Sequence, residues 1–242
     1  MITVAGPGLG LTVQNVRKQQ LPGLEHLIVG SPESLPEIPE HLHGSGVRTH
    51  TASGSPGRQW NSGLSQVAAD FAVFLPAGAR ISRGFLLRAV DVLTAQPNVG
   101  LVAPGKPRPG GVRDFQITRQ LVRDELPVAT VFRTRLARPL DSELGSYALW
   151  DLWLGILGQG AGVQVLGRFN YRGPARLELG PEAPSALTEL MQRNRDLYSR
   201  HAEPFWAEVL AQRPRVWHLK SRFGRIEDGL HALARRVRRA RA

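Results

Sequence analysis

The chain has 242 residues, of which 42% are apolar, and its formal net charge is +11 at pH 7. This length allows a large domain with a buried core, and the absence of cysteine excludes disulfides and thiolate chemistry. The N-terminus shows no secretory pattern, and no apolar run approaches the roughly 18 residues of a membrane span, so we expect a cytoplasmic protein.

The first part of the chain alternates short apolar runs with helical patterns. Residues 1–6 (MITVAG) predict a strand, and a helix over residues 11–20 follows a glycine-rich turn. Residues 25–30 (EHLIVG) predict a second strand, and residues 47–50 a third with the character of an edge strand. The turn before the helix does not match a G-x-G-x-x-G dinucleotide loop, so we interpret it as a tight strand-to-helix turn.

Residues 53–80 (SGSPGRQWNSGLSQVAADFAVFLPAGAR) predict a loop, a helix, a buried strand and a second loop. The helix carries apolar residues at helical spacing: Trp60, Leu64, Val67 and Ala68. The run Phe71–Leu75 is typical of a strand covered on both faces, and it ends at Pro76-Ala77-Gly78. A loop after such a strand is where alternating α/β folds bind ligands.

The alternation continues to the C-terminal third of the chain. Ser82 is predicted to cap a helix that extends to Ala95. Further strands are predicted over residues 99–103, 128–132 and 163–166, and helices over residues 147–158 and 185–212, the last broken near Pro204. This order predicts an α/β fold with a mostly parallel, twisted sheet, helices on both faces and additional C-terminal helices.

Four segments resemble the nucleotide-sugar domain of family 2 glycosyltransferases, which have the GT-A fold. Residues 21–34 are similar to a strand that ends in an acidic nucleotide-binding turn, and residues 57–69 resemble a G-x-x-x-N-x-G-L-x-x-A helix. Residues 71–80 stand where the family has a strand ending in an Asp-x-Asp metal motif. Residues 144–172 resemble the acidic-tryptophan helix, the next strand and the closing Tyr-Arg. The likeness covers most of residues 1–210.

The resemblance implies three regions. We expect a GT-A-like nucleotide-sugar domain over residues 1–180 and C-terminal helices packed on it over residues 181–212. A basic amphipathic tail is expected over residues 213–242.

The chain departs from the family where the family uses acidic residues. The resemblance implies a divalent metal, Mg or Mn, held by Asp-x-Asp, but the matching positions are Pro76 and Gly78. Because neither offers a side-chain ligand to a hard cation, we assign no metal-binding residue and no certain cofactor. The family's nucleotide-binding acid falls near Ser31, with Glu33 close by, and its catalytic base falls at Leu149.

Other residues are candidates for the missing roles. The resemblance places Arg58 and Arg80 in loops that face the diphosphate, where guanidinium groups can neutralise it without a metal. The alternative for both is a solvated surface arginine. Asn61 either binds a ligand or caps local backbone. The residues we assign to nucleotide-sugar binding are Pro7, Gly8, Ser31, Glu33, Arg58, Asn61, Pro76, Gly78 and Arg80.

Three acids are candidates for the catalytic base. Asp151 is nearest in sequence to Leu149, but it lies about 200° further around the helix. A structural role in the first helical turn is therefore favoured for Asp151. Asp141 and Glu143 belong to the preceding loop and are the other two candidates.

Much of the positive charge lies in the tail. Residues 213–242 contain ten arginines or lysines against two acids, a local +8 that leaves about +3 for the rest of the chain. Residues 225–241 predict a basic amphipathic helix, which would bind an anionic membrane surface or a protein partner, or pack on the domain. Nucleic acid is disfavoured, because the charge belongs to the tail and not to the domain.

These observations predict a glycosyltransferase-like protein, peripheral at the inner face of the membrane if the tail binds lipid. It would transfer a sugar from a nucleotide-sugar donor to a glycan, lipid or protein acceptor without a metal. The alternative is a catalytically inactive relative that acts as a binding or scaffold partner in envelope-glycan synthesis.

Overall fold

The computed structural model describes residues 1–35, 46–105, 115–173 and 183–211. The chain divides into two compact units, Met1–Arg200 and His201–Ala242. In the second unit residues 202–211 are helical. The basic helix predicted over residues 225–241 lies outside the described residues.

Three parallel strands begin the sheet. Strand β1 (Ile2–Val4) pairs with β2 (His26–Gly30), which also pairs with β3 (Val47–Thr51) at the sheet edge. Helix α1 (Leu9–Arg17) connects β1 to β2, as the βαβ pattern requires. Every residue of β2 is buried, whereas β3 is half-buried or exposed, and this difference confirms the prediction of β3 as an edge strand.

A five-stranded sheet extends this arrangement. Its members are β4 (Phe71–Val73), β5 (Arg80–Ile81), β6 (Val99–Gly105), β7 (Val131–Arg133) and β8 (Gly162–Arg172). They lie in the order β4-β7-β6-β8-β5, and a parallel bridge between Ile2 and Phe74 joins β4 to β1. Among the eight strands of the described residues, β5 and β7 run opposite to the others. The prediction of a mostly parallel sheet is therefore confirmed.

One face of the sheet packs against α1 and α3 (Phe85–Ala95). Val73 and Leu75 share a buried apolar cluster with Val16 of α1 and with Phe85 and Leu93 of α3. Alternate residues of a strand face opposite sides of the sheet, so the odd-numbered residues of the run Phe71–Leu75 pack in this cluster.

The other face packs against α2 (Pro56–Leu64) and α5 (Ala148–Gly158). The Phe74 ring lies 4.2 Å from the Trp60 ring of α2 and 5.4 Å from the Phe132 ring, centroid to centroid. The Phe132 ring in turn contacts the Trp153 ring of α5 at 5.7 Å. Helices therefore cover both faces, as the sequence predicts, and the tryptophans of α2 and α5 are core residues.

Two local predictions were wrong. Helix α2 ends at Leu64, so Val67 and Ala68 lie beyond it. Helix α3 begins after Gly84 and has no side-chain cap, because the Ser82 hydroxyl accepts a hydrogen bond from the Asn170 backbone N at 2.8 Å instead. The remaining α-helices of the first unit are α4 (Ile117–Val122), α6 (Ala183–Arg193) and α7 (Arg195–Arg200). The helical region is interrupted at residue 201, which confirms the predicted break near Pro204, and also at residue 194, which was not predicted.

Candidate functional site

The carboxyl ends of β1, β2, β3 and β4 lie at one edge of the sheet, because these four strands are parallel neighbours. Ligands of open α/β sheets bind at such an edge. We call this region the strand-end site and define it as residues 5–8, 31–35, 52–58 and 76–80. It brings together most of the residues assigned to nucleotide-sugar binding: Pro7, Gly8, Ser31, Glu33, Arg58, Pro76, Gly78 and Arg80.

Two glycines hold the turns after β1 and β4 against each other. Gly8 and Gly78 both have left-handed backbone, with φ of 81° and 80°. A Cβ atom on Gly8 would lie 2.8 Å from the Gly78 Cα, closer than two such atoms can approach. A Cβ atom on Gly78 would lie 3.4 Å from the Pro7 carbonyl oxygen. This part of the site is therefore built from main chain, and only glycine fits at position 8 without a backbone shift.

Two polar side chains of α1, Thr12 and Asn15, and Gln19 just beyond its end hold the turn after β4 and the start of β5. The Thr12 hydroxyl donates to the Ala79 carbonyl oxygen at 3.0 Å. The Asn15 side chain binds both backbone groups of Ile81, at 2.9 and 3.0 Å, and Gln19 Nε2 donates to the same carbonyl at 3.3 Å. These three residues were not predicted from the sequence, although their spacing of i, i+3 and i+7 along α1 and the residues after it was a signal.

The turn after β4 does not fit a divalent metal. Pro76 and Gly78 offer only backbone carbonyls, and the Pro76 carbonyl already accepts hydrogen bonds from Ala79 N at 3.0 Å and from the Thr12 hydroxyl at 3.3 Å. In the described ranges no group of three His, Asp or Glu side chains comes together. The donor set that hard cations require is therefore not provided by these residues.

The turn after β2 carries Glu33, an acid that the sequence resemblance assigns to nucleotide binding. Ser34 N and Leu35 N both donate to the Ser31 carbonyl at 3.0 Å, which closes the turn. Glu33 is fully exposed, and a hydrogen bond with the Ser31 side chain lowers the pKa of its carboxyl. Glu33 is therefore an ionised acceptor at the strand-end site.

The two candidate arginines are both exposed. Arg58 belongs to the first turn of α2, where its backbone N donates to the capping hydroxyl of Ser55 at 3.4 Å. Arg80 begins β5, directly after the turn that α1 fixes. Within the part of the chain that the structure describes, neither guanidinium has a carboxylate partner. Both charges thus stand at the edge of the sheet without an ion pair to any acid among the described residues.

Asn61 uses both polar atoms of its side chain on the backbone of Leu140. Its Nδ2 donates to the Leu140 carbonyl at 2.5 Å, and its Oδ1 accepts from Leu140 N at 2.6 Å. This geometry favours the backbone-capping interpretation of Asn61 over ligand binding. It also brings the segment that follows Leu140 beside α2, where a Cβ atom on Gly57 would lie 3.4 Å from the Ser142 Cα.

Asp151 is buried in a network of positive and polar groups. Its Oδ1 accepts from Arg138 Nη2 at 2.6 Å and from Asn194 Nδ2 at 2.8 Å, and its Oδ2 accepts from Arg193 Nε at 3.2 Å. Only 1% of the Asp151 side chain is exposed. Gly155 makes room for Arg138, because a Cβ atom there would lie 2.7 Å from Arg138 Nε. The geometry favours the structural interpretation of Asp151 over that of a base.

The other two acids differ in their surroundings. Asp141 pairs with Arg193 Nη1 at 3.0 Å and accepts from the Glu143 backbone N at 2.9 Å. Glu143 is exposed, and its side chain has no ion pair in the described ranges. Leu149, where the sequence resemblance places the catalytic base, is half-buried in the first turn of α5. Glu143 is therefore the acid that remains available to a ligand beside α2.

No family model matches the sequence, and the comparison with curated proteins also gives no match. Solved structures do match. S. aureus TarS superposes with a TM-score of 0.61 at 15% identity over 79% of this chain and 38% of that one. Residues 1–349 of TarS in complex with UDP give 0.59 at 15% identity, covering 83% of this chain and 71% of that one. The fold is GT-A-like.

A second GT-A-like glycosyltransferase supports the same assignment. Glucosyl-3-phosphoglycerate synthase from M. tuberculosis superposes with a TM-score of 0.54 at 15% identity and covers 79% of each chain. The present chain spans well under half of the full TarS chain. These similarities show the fold, and the GT-A-like fold predicted from the sequence is confirmed.

In the described part of the chain, no helix combines the length and the apolar character that crossing a membrane requires.

Proposed function

We propose that this GT-A-like protein binds a nucleotide sugar at the strand-end site and transfers the sugar to a glycan, lipid or protein acceptor. The observation that carries the proposal is the packing of the turns after β1 and β4, with Gly8 against Gly78, at the edge where α/β folds bind ligands. TarS has been crystallised with UDP and with UDP-GlcNAc, and the synthase with UDP, which supports a nucleotide-sugar ligand for this fold.

The residues around the site suggest how the ligand is held. Glu33 and the turn beside Pro7 and Gly8 would contact the nucleoside, and the guanidinium groups of Arg58 and Arg80 would face the diphosphate. The synthase was crystallised with Mn²⁺, but the turn at Pro76 and Gly78 lacks metal ligands. Fixed guanidinium groups are an alternative means of stabilising a leaving diphosphate.

The reaction would be a displacement at the anomeric carbon. The acceptor hydroxyl forms the new C–O bond, the bond to the diphosphate breaks, and the nucleoside diphosphate leaves with the electron pair. We assign Glu143 as the base that accepts the proton of the acceptor hydroxyl, because the carboxylates of Asp141 and Asp151 are paired with arginine.

The test is calorimetry of the full chain against a panel of nucleotide sugars in the presence of EDTA. We expect one member to bind with a dissociation constant between about 1 μM and 1 mM, the range usual for enzyme substrates. Removal of EDTA and addition of Mg²⁺ should leave that affinity unchanged. The absence of binding by every member of the panel would refute the proposal.

One observation favours a second candidate, a GT-A-like binding protein without catalytic activity. The family's base position is Leu149, and the nearest acid, Asp151, is enclosed by two arginines and an asparagine. This protein would bind the nucleotide sugar and release no sugar from it. Donor turnover that disappears in Glu143→Gln but persists in the matched Glu189→Gln, on the exposed side of α6, would contradict the second candidate.

The remaining partners also belong to the proposal. An acceptor glycan or lipid would approach beside Glu143. An anionic membrane surface or a protein partner would bind residues 225–241, and binding to anionic vesicles that is lost when these residues are deleted would support that role.

A further inference from the structure

Two arginines lie opposite each other on neighbouring strands. Arg80 of β5 is the direct antiparallel partner of Arg172 of β8, one position before the pair Ile81–Tyr171. Residues directly opposite in an antiparallel pair lie on the same face with Cβ atoms about 5 Å apart. The two guanidinium groups therefore extend from adjacent positions on one face of the sheet.

That face is directed away from the core. Ile81 packs in the buried cluster formed with α1 and α3, and Tyr171 packs against it. Because side chains alternate along a strand, Arg80 and Arg172 project to the opposite side, where both are exposed. In the described ranges neither arginine is paired with a carboxylate.

Hydrogen bonds hold the backbone on either side of this arginine pair. On one side Asn15 binds the N and O of Ile81 at 2.9 and 3.0 Å. On the other, Ser82 N donates to the Asn170 carbonyl at 3.0 Å, and Asn170 N donates to the Ser82 hydroxyl at 2.8 Å. These contacts lock the register that places one arginine opposite the other.

The irregular path of β8 brings this pair beside the strand-end site. The register of β8 on β6 shifts between the pairs Pro104–Leu166 and Gly105–Asn170. Such an irregularity bends a strand, and beyond the pair at Asn170 the next two residues of β8, Tyr171 and Arg172, pair with β5. Arg80 follows Gly78 by two residues, and Arg172 lies directly opposite Arg80 although it comes 92 positions later in the chain.

Like charges directly opposite in a sheet are unfavourable unless an anion lies between them. We propose that Arg80 and Arg172 form a two-arginine site for a diphosphate group, and that this group is the diphosphate of the nucleotide sugar. The proposal rests on the function proposed above and adds Arg172, which supplies a further guanidinium beside that of Arg80 in place of a metal. Two guanidinium groups, each planar and permanently charged, can donate paired hydrogen bonds to the several oxygens of a diphosphate.

The first experiment uses inorganic pyrophosphate and the full chain in EDTA. Calorimetry should show binding to the wild-type protein, and Arg172→Gln and Arg80→Gln should each weaken it by about 10-fold to 100-fold, as the loss of a charge-assisted hydrogen bond predicts. Arg195→Gln is the matched control, because it removes the same charge from a side chain that is 84% exposed on α7, and it should retain wild-type affinity.

Two further measurements separate binding from folding. Without ligand, Arg172→Gln should melt no lower than the wild-type protein, because it removes a like-charge neighbour. Arg172→Lys should recover part of the lost affinity, since it restores the charge without the planar fork. Failure of pyrophosphate to bind, or equal affinity of Arg172→Gln and wild type, would overturn the proposal.

The nucleotide-sugar panel distinguishes this proposal from the proposed function. If a panel member binds and Arg172→Gln leaves its affinity unchanged, the diphosphate assignment is wrong while the proposed function stands. If pyrophosphate binding depends on both arginines and no panel member binds, the two-arginine site stands as a diphosphate site and its assignment to a sugar donor is wrong.

Discussion

The substitution Asp151→Asn tests whether this buried acid stabilises the fold. It keeps the shape of the side chain but removes the negative charge that faces Arg138 and Arg193, whose side chains are 33% and 29% exposed. Breaking a buried ion pair by removing one partner costs about 3 to 5 kcal/mol. Because both arginines reach solvent, we expect the lower value, about 3 kcal/mol.

The assay is urea unfolding followed by tryptophan fluorescence, since Trp150 and Trp153 flank Asp151 on α5. With an m-value of about 3 kcal/mol per molar urea, the expected loss lowers the midpoint by about 1 M. Asp91→Asn is the control, because the Arg88–Asp91 pair is 3.8 Å apart and more than half exposed, and its loss should change stability by less than about 0.5 kcal/mol. Equal midpoints for the two variants would refute the structural role of Asp151.

Two further predictions concern the first strands and their turns. Burial lowers the pKa of His26 to about 3, so the folded state favours the neutral ring. The folded state is therefore fully stable above the unfolded pKa near 6.5, and it loses stability as the pH falls from there toward 3. At pH 5 the free energy of unfolding should be about 2 kcal/mol lower than at pH 7.5 because of His26. If lowering the pH from 7.5 to 5 shifts the urea midpoint by the same amount in wild type and in His26→Gln, this prediction is wrong. Gly8→Ala should destabilise the fold by about 1 to 3 kcal/mol, because of its left-handed backbone and its contact with Gly78. Gly10→Ala on α1 is the control, because a Cβ atom there would have no neighbour within 4 Å, and it should leave stability unchanged or raise it. A melting temperature that is lower for Gly10→Ala than for Gly8→Ala would contradict this prediction.

The order of strands and helices was predictable because it depends on short-range apolar patterns. The run Phe71–Leu75 gives alternate residues to the two faces of the sheet, and the stripe on α3 buries Phe85, Leu86, Ala89 and Leu93. Neither feature requires knowledge of which segments meet. Strand β5 was missed because two residues, Arg80 and Ile81, carry no periodicity, and their pairing with β8 is set by the fold.

The roles of single polar residues were less predictable, because their partners are distant in sequence. Asn61 binds the backbone of Leu140, 79 residues away, and Asp151 binds Arg193, 42 residues away. The sequence left two interpretations open for Asn61, and for Asp151 it favoured the structural one. The pairing of Arg80 with Arg172 is beyond sequence reasoning altogether, since a strand of two residues gives no information on register.

The left-handed backbone of Gly78 also bears on whether a metal site can be engineered at this turn. An aspartate placed there would adopt a φ of 80°, a conformation that residues with a Cβ rarely take. Its Cβ would lie 3.4 Å from the Pro7 carbonyl oxygen. A carboxylate attached to this Cβ atom would lie close to the Pro7 carbonyl oxygen, which is the negative end of a peptide dipole. Engineering an Asp-x-Asp sequence into positions 76–78 would therefore supply two carboxylates on a backbone that is poorly shaped to hold a metal between them.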